Sequence, residues 1–356
     1  MKQISFGKPF LFFIVLMFLM AFSVKTGTGY PKDMGVVPAP GAEPGEDQEK
    51  GSDQEELRIL SWNIYMLPYL HPFHNSLQRA GWIGEILNKS NYDIIVFQEA
   101  FHSPSREKLK NEISASFPYF YGPFNDPGFS VYTSSGVCIA SRFPLRLLKT
   151  MRFNRSESFD VLAWKGAVLM EGSFRSRPFH LIATHMQSNE YPESRADQMR
   201  QMVLELVLPY QHQGITRMIC GDLNVDSDNP REYSSMLRIF EATDDLAQLS
   251  GRVTYDERNN ALARTSRPHA RTLDYILLSG SPKPEAVKRK VTVFQTLLEG
   301  RRIELSDHYA IEAVIGYQAL YNPHKDVHPG NQKQSAYAFV NDSYRTRGEQ
   351  PSQLPR

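Results

Sequence analysis

Short, almost uninterrupted apolar runs recur through the middle of this chain, and few architectures accommodate them. They are Arg58–Trp62, Asp93–Phe97, Val137–Ala140, His180–Thr184, Thr216–Cys220, Thr272–Leu278 and Tyr309–Ile315. A strand with one wet face alternates apolar and polar residues, whereas a run without alternation is covered on both faces. Between these runs lie segments with helical spacing. Met199, Met202, Val203, Leu206 and Val207 form one apolar stripe, stopped by Pro209, and Gln78–Leu87 and Ser105–Ile113 read as further helices. Doubly covered strands alternating with amphipathic helices predict an α/β layered sandwich. With 356 residues, 41% of them hydrophobic, the chain can fill one large core or two small ones. No repeat of solenoid spacing is present.

Polar residues stand where these runs end. Asn63 follows Leu60-Ser-Trp62, Glu99 closes Ile94-Ile-Val-Phe-Gln-Glu, and His185 follows Leu181-Ile-Ala-Thr184. Asp222 follows Met218-Ile-Cys-Gly221 with Asn224 two residues on, Asp274 lies in Thr272-Leu-Asp-Tyr-Ile276, and Asp307 with His308 precedes the last run. Each residue alone is ordinary: a strand-end carboxylate, a hydrogen-bonded histidine, a capping aspartate. Strand ends in such a sandwich converge on one sheet edge, however, where catalytic groups are carried on a rigid scaffold. Together the oxygen donors suit a hard divalent cation such as Mg²⁺, which shares its shell with substrate phosphate. Two imidazoles can divide the work of base and leaving-group donor, each worth about 10² to 10⁴ in rate. Asp274 can hold one imidazole in the required tautomer. The set is therefore the equipment of a phosphodiester hydrolase.

The termini differ from the middle. A basic start, the apolar run Pro9–Phe22 and the small or polar residues after it have the form of a secretory signal peptide over 1–23. That run, about 14 residues, is shorter than the roughly 20 a spanning helix needs, so export rather than anchoring is expected. Residues 24–56 form a Pro/Gly-rich acidic linker, 57–317 the folded catalytic domain, and 318–356 a polar tail. Cys138 and Cys220 lie inside apolar runs, which predicts two buried core thiols rather than a disulfide. Lys plus Arg (40) nearly cancels Asp plus Glu (39), so no global positive field draws the chain to nucleic acid.

These motifs resemble the endonuclease/exonuclease/phosphatase superfamily, and within it the secreted bacterial neutral sphingomyelinases (sphingomyelinase C). The resemblance rests on Ser61-Trp-Asn-Ile-Tyr-Met-Leu-Pro68, Phe97-Gln-Glu-Ala-Phe101, Ser135-Gly-Val-Cys-Ile139, Lys165-Gly166, Thr184-His-Met-Gln187, Gly221-Asp-Leu-Asn-Val225, Leu273-Asp-Tyr-Ile276 and Ser306-Asp-His308. It implies a DNase I-like four-layered α/β/β/α sandwich. Glu99 would bind Mg²⁺, replaceable by Mn²⁺ or Co²⁺, with help from Asn63 and from Asp307. His308 would be the general base, oriented by Asp274. Asp222 and Asn224 would position water and phosphate, and His185 would stabilise the phosphorane and assist the leaving oxygen. Asp160 matches an acidic residue near the family's site. The implied substrate is sphingomyelin or a related choline phospholipid, taken by a secreted monomer, with a peripheral membrane surface as partner and no nucleic acid.

In one place the chain departs from that pattern. The family's membrane-active members carry an exposed Trp-containing aromatic pair on a hairpin shortly before Ser-Asp-His. Here Val291–Leu298 offers Phe294 alone, with Leu297 and Leu298 as either substitutes or core residues. Two other readings compete. A nuclease of the same fold would need a basic groove, for which Arg258, Arg264, Arg267 and Arg271, Lys288-Arg-Lys290 and Arg301-Arg302 are the nearest material. A binding module with a dead site would have lost a histidine or the metal glutamate, and every expected position is filled.

Overall fold

The computed structural model describes residues 54–68, 75–212, 214–244, 253–284 and 286–318. The expected signal segment (1–23), linker (24–56, its last residues apart) and tail (318–356, its first residue apart) lie outside the described residues.

The first sheet has six strands. They are β1 (Gln54–Met66), β2 (Ile94–Ala100), β3 (Tyr119–Tyr121), β4 (Cys138–Ser141), β12 (Ala286–Thr292) and β15 (Ala310–Gln318), in the order β12-β15-β1-β2-β4-β3. The second has five: β5 (Arg146–Arg152), β6 (Gly166–Phe174), β7 (Arg177–His185), β8 (Ile215–Asp222) and β11 (Asp274–Ser281), in the order β11-β8-β7-β6-β5. Two-stranded ribbons are made by β9 (Tyr255–Asp256) with β10 (Ala270–Arg271), and by β13 (Gln295–Leu298) with β14 (Arg301–Glu304).

The continuous apolar runs become central strands because both of their faces are used. Leu57, Ile59, Ile94 and Val96 of the first sheet meet Val168, Leu181, Met218 and Ile276 of the second in a core between the sheets. The opposite face of the first sheet, with Trp62, Ile95 and Phe97, is covered by α1 (Ser76–Asn88) through Ile83 and Leu87 and by α2 (Ser103–Ile113) through Leu109 and Ile113. The outer face of the second sheet, with Leu169, Ile182 and Ile219, is covered by Met199 and Met202 of α3 (Pro192–Met202) and by Met236 and Phe240 of α4 (Pro230–Phe240). The layers therefore run α/β/β/α. Each fully buried Leu, Ile or Phe in them contributes roughly 1.5 to 3 kcal/mol.

Past Met202 the α3 helix widens into a π-type turn over Val203–Val207, then tightens at Leu208–Tyr210 where Pro209 ends it. Cys138 packs under α1 and α2 while Cys220 faces the core between the sheets, so the two thiols sit in different layers and are free. Burial pushes the Cys138 thiol up to about 12.

Two parallel pairs set the position of the site. β1 lies parallel to β2 and β7 parallel to β8, each pair joined across a helix, so their C-terminal ends emerge side by side.

Candidate active site

Side chains alternate faces along a strand, so every second residue inherits the direction of its predecessor. Ile59 points into the core between the sheets, and Ser61 and Asn63 follow it. Likewise Ala183 is followed by His185, Cys220 by Asp222, and Ile276 is preceded by Asp274. The site is thus the polar continuation of the core between the sheets. Register completes it, since His185 pairs with Asp222 and Asp222 with Asp274 across three neighbouring strands. Gly221 makes this possible: at φ 153° its backbone lies so near Thr184 that a Cβ would stand 1.9 Å from the Thr184 carbonyl oxygen.

Glu99 follows a different rule. Its backbone is left-handed, at φ 56°, as is that of Tyr65 at φ 50° on the adjacent strand, beside a register shift between Asn63 and Met66. A non-glycine residue in this region is strained and is held there by its surroundings. The twist turns the carboxylate toward Asn63 and Asp307.

His308 and Asp274 form a close pair, with Nδ1 of the ring 2.8 Å from Oδ2 of the carboxylate. The other ring nitrogen, Nε2, lies 3.7 Å from Asp222 Oδ2, which also stands 3.6 Å from His185 Nε2. Asp222 is fixed in turn by Asn63 Nδ2, donating to Oδ2 at 3.1 Å, and by the Asn224 amide, donating to Oδ1 at 3.0 Å. Asn224 reaches Met186 O through Nδ2 at 3.3 Å. The Tyr255 ring covers His308 at 4.7 Å, and Trp62 Nε1 donates to the His308 carbonyl at 3.0 Å. Burial opposes a charge on His308, but Asp274, Asp222 and Asp307 outweigh it and hold the ring well above the usual histidine value.

The second histidine is the opposite case. Burial and then Lys165 push His185 down to about 3, so its ring is neutral. Lys165 Nζ is 3.0 Å from His185 Nε2, 3.0 Å from Met186 O and 2.9 Å from Asp160 Oδ1. An ammonium can only donate, so Nε2 accepts and the ring proton sits on Nδ1, which is buried with no partner. Asp160 reaches the site through Lys165, and its Oδ2 accepts from the Ser188 amide at 2.7 Å.

Glu99 and Asp307 make a strongly acidic corner. Glu99 Oε2 is buried without a hydrogen-bond partner. Burial first and Asp307 second push this carboxyl up to about 7, against a hydrogen bond from Asn63. Asp307 is raised as well, mainly by burial, although His308 and Arg79 oppose the shift. Two neighbouring carboxyls that both resist ionisation, one with an orphaned oxygen, fit a divalent cation. Asp222, Asp274 and His308 also stand within 4.8 Å of one another, close enough to share an ion. There, however, Asp274 already holds the His308 ring.

Residues outside the candidate catalytic and metal set support these. Arg79, on the buried stripe of α1, donates to Ile64 O at 2.8 Å, to Leu305 O at 2.7 Å and to Tyr65 O, tying the end of β1 to the segment before His308. Ser306 Oγ donates to Asn63 O at 2.6 Å. Arg79 has a signal in the sequence: it stands four and eight residues before Ile83 and Leu87, a charge on an apolar stripe. Lys165 has a weaker one, as a cation immediately before a buried strand.

A family model described as endonuclease/exonuclease/phosphatase matches residues 60–308. The chain belongs to the endonuclease/exonuclease/phosphatase family. Among curated relatives, a phospholipase C of Staphylococcus aureus is 28% identical over 298 residues, covering 74% of this chain and 89% of its own length. A sphingomyelinase C of Bacillus cereus is 27% identical over 305 residues, covering 75% and 91%. A crystal structure of beta toxin from Staphylococcus aureus superposes with TM-score 0.64 at 25% identity, over 72% of this chain and 99% of that one. Another beta-toxin structure, at TM-score 0.62 and 24% identity over 73% and 99%, contains bound magnesium ions. The DNase I-like sandwich and the resemblance to bacterial sphingomyelinases are both borne out.

Proposed function

We propose that this protein is a secreted phosphodiesterase that hydrolyses sphingomyelin to ceramide and phosphocholine. The observation that carries the chemistry is the His308–Asp274 pair at 2.8 Å, set opposite a neutral His185 that rests against Lys165. Asp274 keeps the proton on Nδ1, so that above the raised pKa of the ring Nε2 is free to accept one. Nε2 takes a proton from a water whose oxygen bonds to phosphorus, and the bond from phosphorus to the ceramide oxygen breaks. His185 Nδ1–H donates to that leaving oxygen while Lys165 passes a proton to Nε2, which leaves His185 neutral and Lys165 an amine; the proton taken up by His308 is lost to solvent and Lys165 is reprotonated from solvent before the next turnover. In this arrangement His185 serves as a neutral donor. Asp222 and Asn224 position water and phosphate, and Asp160 holds Lys165 in place.

Glu99, Asn63 and Asp307 would hold Mg²⁺, which when bound supplies charge to the phosphoryl oxygens. The orphaned Glu99 oxygen supports that position, as do the magnesium ions of a fold relative. Sphingomyelin as substrate rests on the relatives' named activities. Export rests on the signal-like first 23 residues, and no helix among the described residues is long and apolar enough to cross a membrane.

The test is phosphocholine release from sphingomyelin in detergent micelles, with Mg²⁺ and with EDTA, beside a plasmid-nicking assay. Mg²⁺-dependent release without nicking is expected. Nicking without release would replace this reading with the nuclease, and neither activity would favour a binding module.

A further inference from the structure

Six exposed apolar side chains gather on two short loops, one following Asp126 and the other following Glu157. Phe129 is fully exposed, Phe159 is 71% and Val131 62% exposed, and Tyr132, Val161 and Leu162 accompany them. The loops form one unit: the Thr133 amide donates to Leu162 O, and the Trp164 amide to Thr133 O, each at 2.9 Å. Single exposed apolar residues are ordinary, but six on one hydrogen-bonded pair of loops form a patch of the kind that marks an interaction site. The patch is joined to the site described above. Asp160 lies in the second loop, 2.9 Å from the Lys165 ammonium that contacts His185.

We infer that these paired loops are the surface by which the protein seats on a bilayer of zwitterionic choline phospholipid. The inference rests on the lipid-diester reading. The bond to be cut lies at headgroup depth, so whatever borders the mouth of the site meets the interface first. A second copy of the chain on this patch would instead cover that mouth. Charge selects among lipid surfaces: residues 126–133 and 157–163 contain Asp126, Glu157 and Asp160 and no Lys or Arg. Such loops gain nothing from anionic headgroups and hold by apolar and aromatic insertion. The β13–β14 ribbon and the residues leading into it contribute less aromatic surface, because Phe294 is turned in against Trp62 at 4.7 Å and the exposed Val293, Leu297 and Leu298 are aliphatic.

The experiment compares wild type, the double variant Phe129→Ser/Phe159→Ser, and Leu297→Ser/Leu298→Ser. Partition onto phosphatidylcholine–sphingomyelin vesicles is measured by sedimentation in EDTA, and turnover of water-soluble p-nitrophenyl phosphocholine is measured with Mg²⁺. The expected result is at least about tenfold weaker partition for the phenylalanine variant, with soluble turnover within about twofold of wild type. Undiminished partition would overturn the inference, as would absence of vesicle binding by wild type, or loss confined to the leucine variant. A wild type that binds vesicles through these phenylalanines yet cleaves neither diester would uphold the surface and refute the chemistry.

Discussion

His308 and Glu99 show how one buried edge gives two kinds of group. His308 is held high by three carboxylates that outweigh its burial, and Asp274 heads that list. Removing Asp274 lowers the proton affinity of the ring, so the acid limb of kcat/KM in Asp274→Asn should move to lower pH while the maximal rate falls by at least about tenfold. A pH–rate profile checks this, and an unmoved limb would mean that Asp274 does not set the proton affinity of His308. Glu99 is raised instead, from 4.5 to about 7. A carboxyl raised in the fold stabilises it below the unfolded value of 4.5, and that contribution is lost as pH rises through about 7. Near pH 8 the metal-free fold therefore carries an unfavourable charge that a cation relieves. Mg²⁺ should raise the thermal midpoint, and Glu99→Gln should raise the metal-free midpoint and remove most of the Mg²⁺ increment. Calorimetry at pH 8 with Mg²⁺ and with EDTA decides it, and a full increment in the variant would move the cation elsewhere.

At the scale of elements, most central strands were legible because burial on both faces writes a continuous apolar run; β6 was missed although Ala167–Met170 is buried on both faces. Of the edge strands, β11 was legible and β3, β5 and β12 were not. β5 reads Arg-Leu-Leu-Lys-Thr-Met-Arg with most of its residues outside the core, and β12 carries Lys-Arg-Lys between two valines. Solvated edges carry charges that blunt the apolar signal. Strand ends located Asn63, His185, Asp222 and Asp274, since a polar residue after such a run inherits a direction. Glu99 was read from its strand end, but the left-handed backbone turn that aims it is announced by no residue pattern; Lys165 stood in a motif without a role, and Arg79 lay outside the motifs. Arg79 links α1, β1 and the segment before β15, and burial lowers its guanidinium to about 10, still charged at neutral pH. Arg79→Met would leave the carbonyls of Ile64, Tyr65 and Leu305 short of a donor. That should cost about 2 to 4 kcal/mol, read by urea unfolding, with a matching loss of turnover.

At the scale of the whole molecule, two sheets share one core, and the proposed hydrolytic site is the polar end of that core. Most of the machinery comes from both sheets: Asn63, Glu99 and the Ser306–His308 turn from the first, and His185, Asp222 and Asp274 from the second. The helices cover the outer faces of the sheets, and the loops bordering the mouth are the proposed lipid-facing surface. The central claim is that His308, held between these sheets, is the base that activates water. The measurement is phosphocholine release from sphingomyelin micelles in Mg²⁺ by wild type and His308→Ala, with circular dichroism on both. A loss of rate of at least about 10²-fold with an unchanged spectrum is expected. Near-normal turnover in the variant would contradict it.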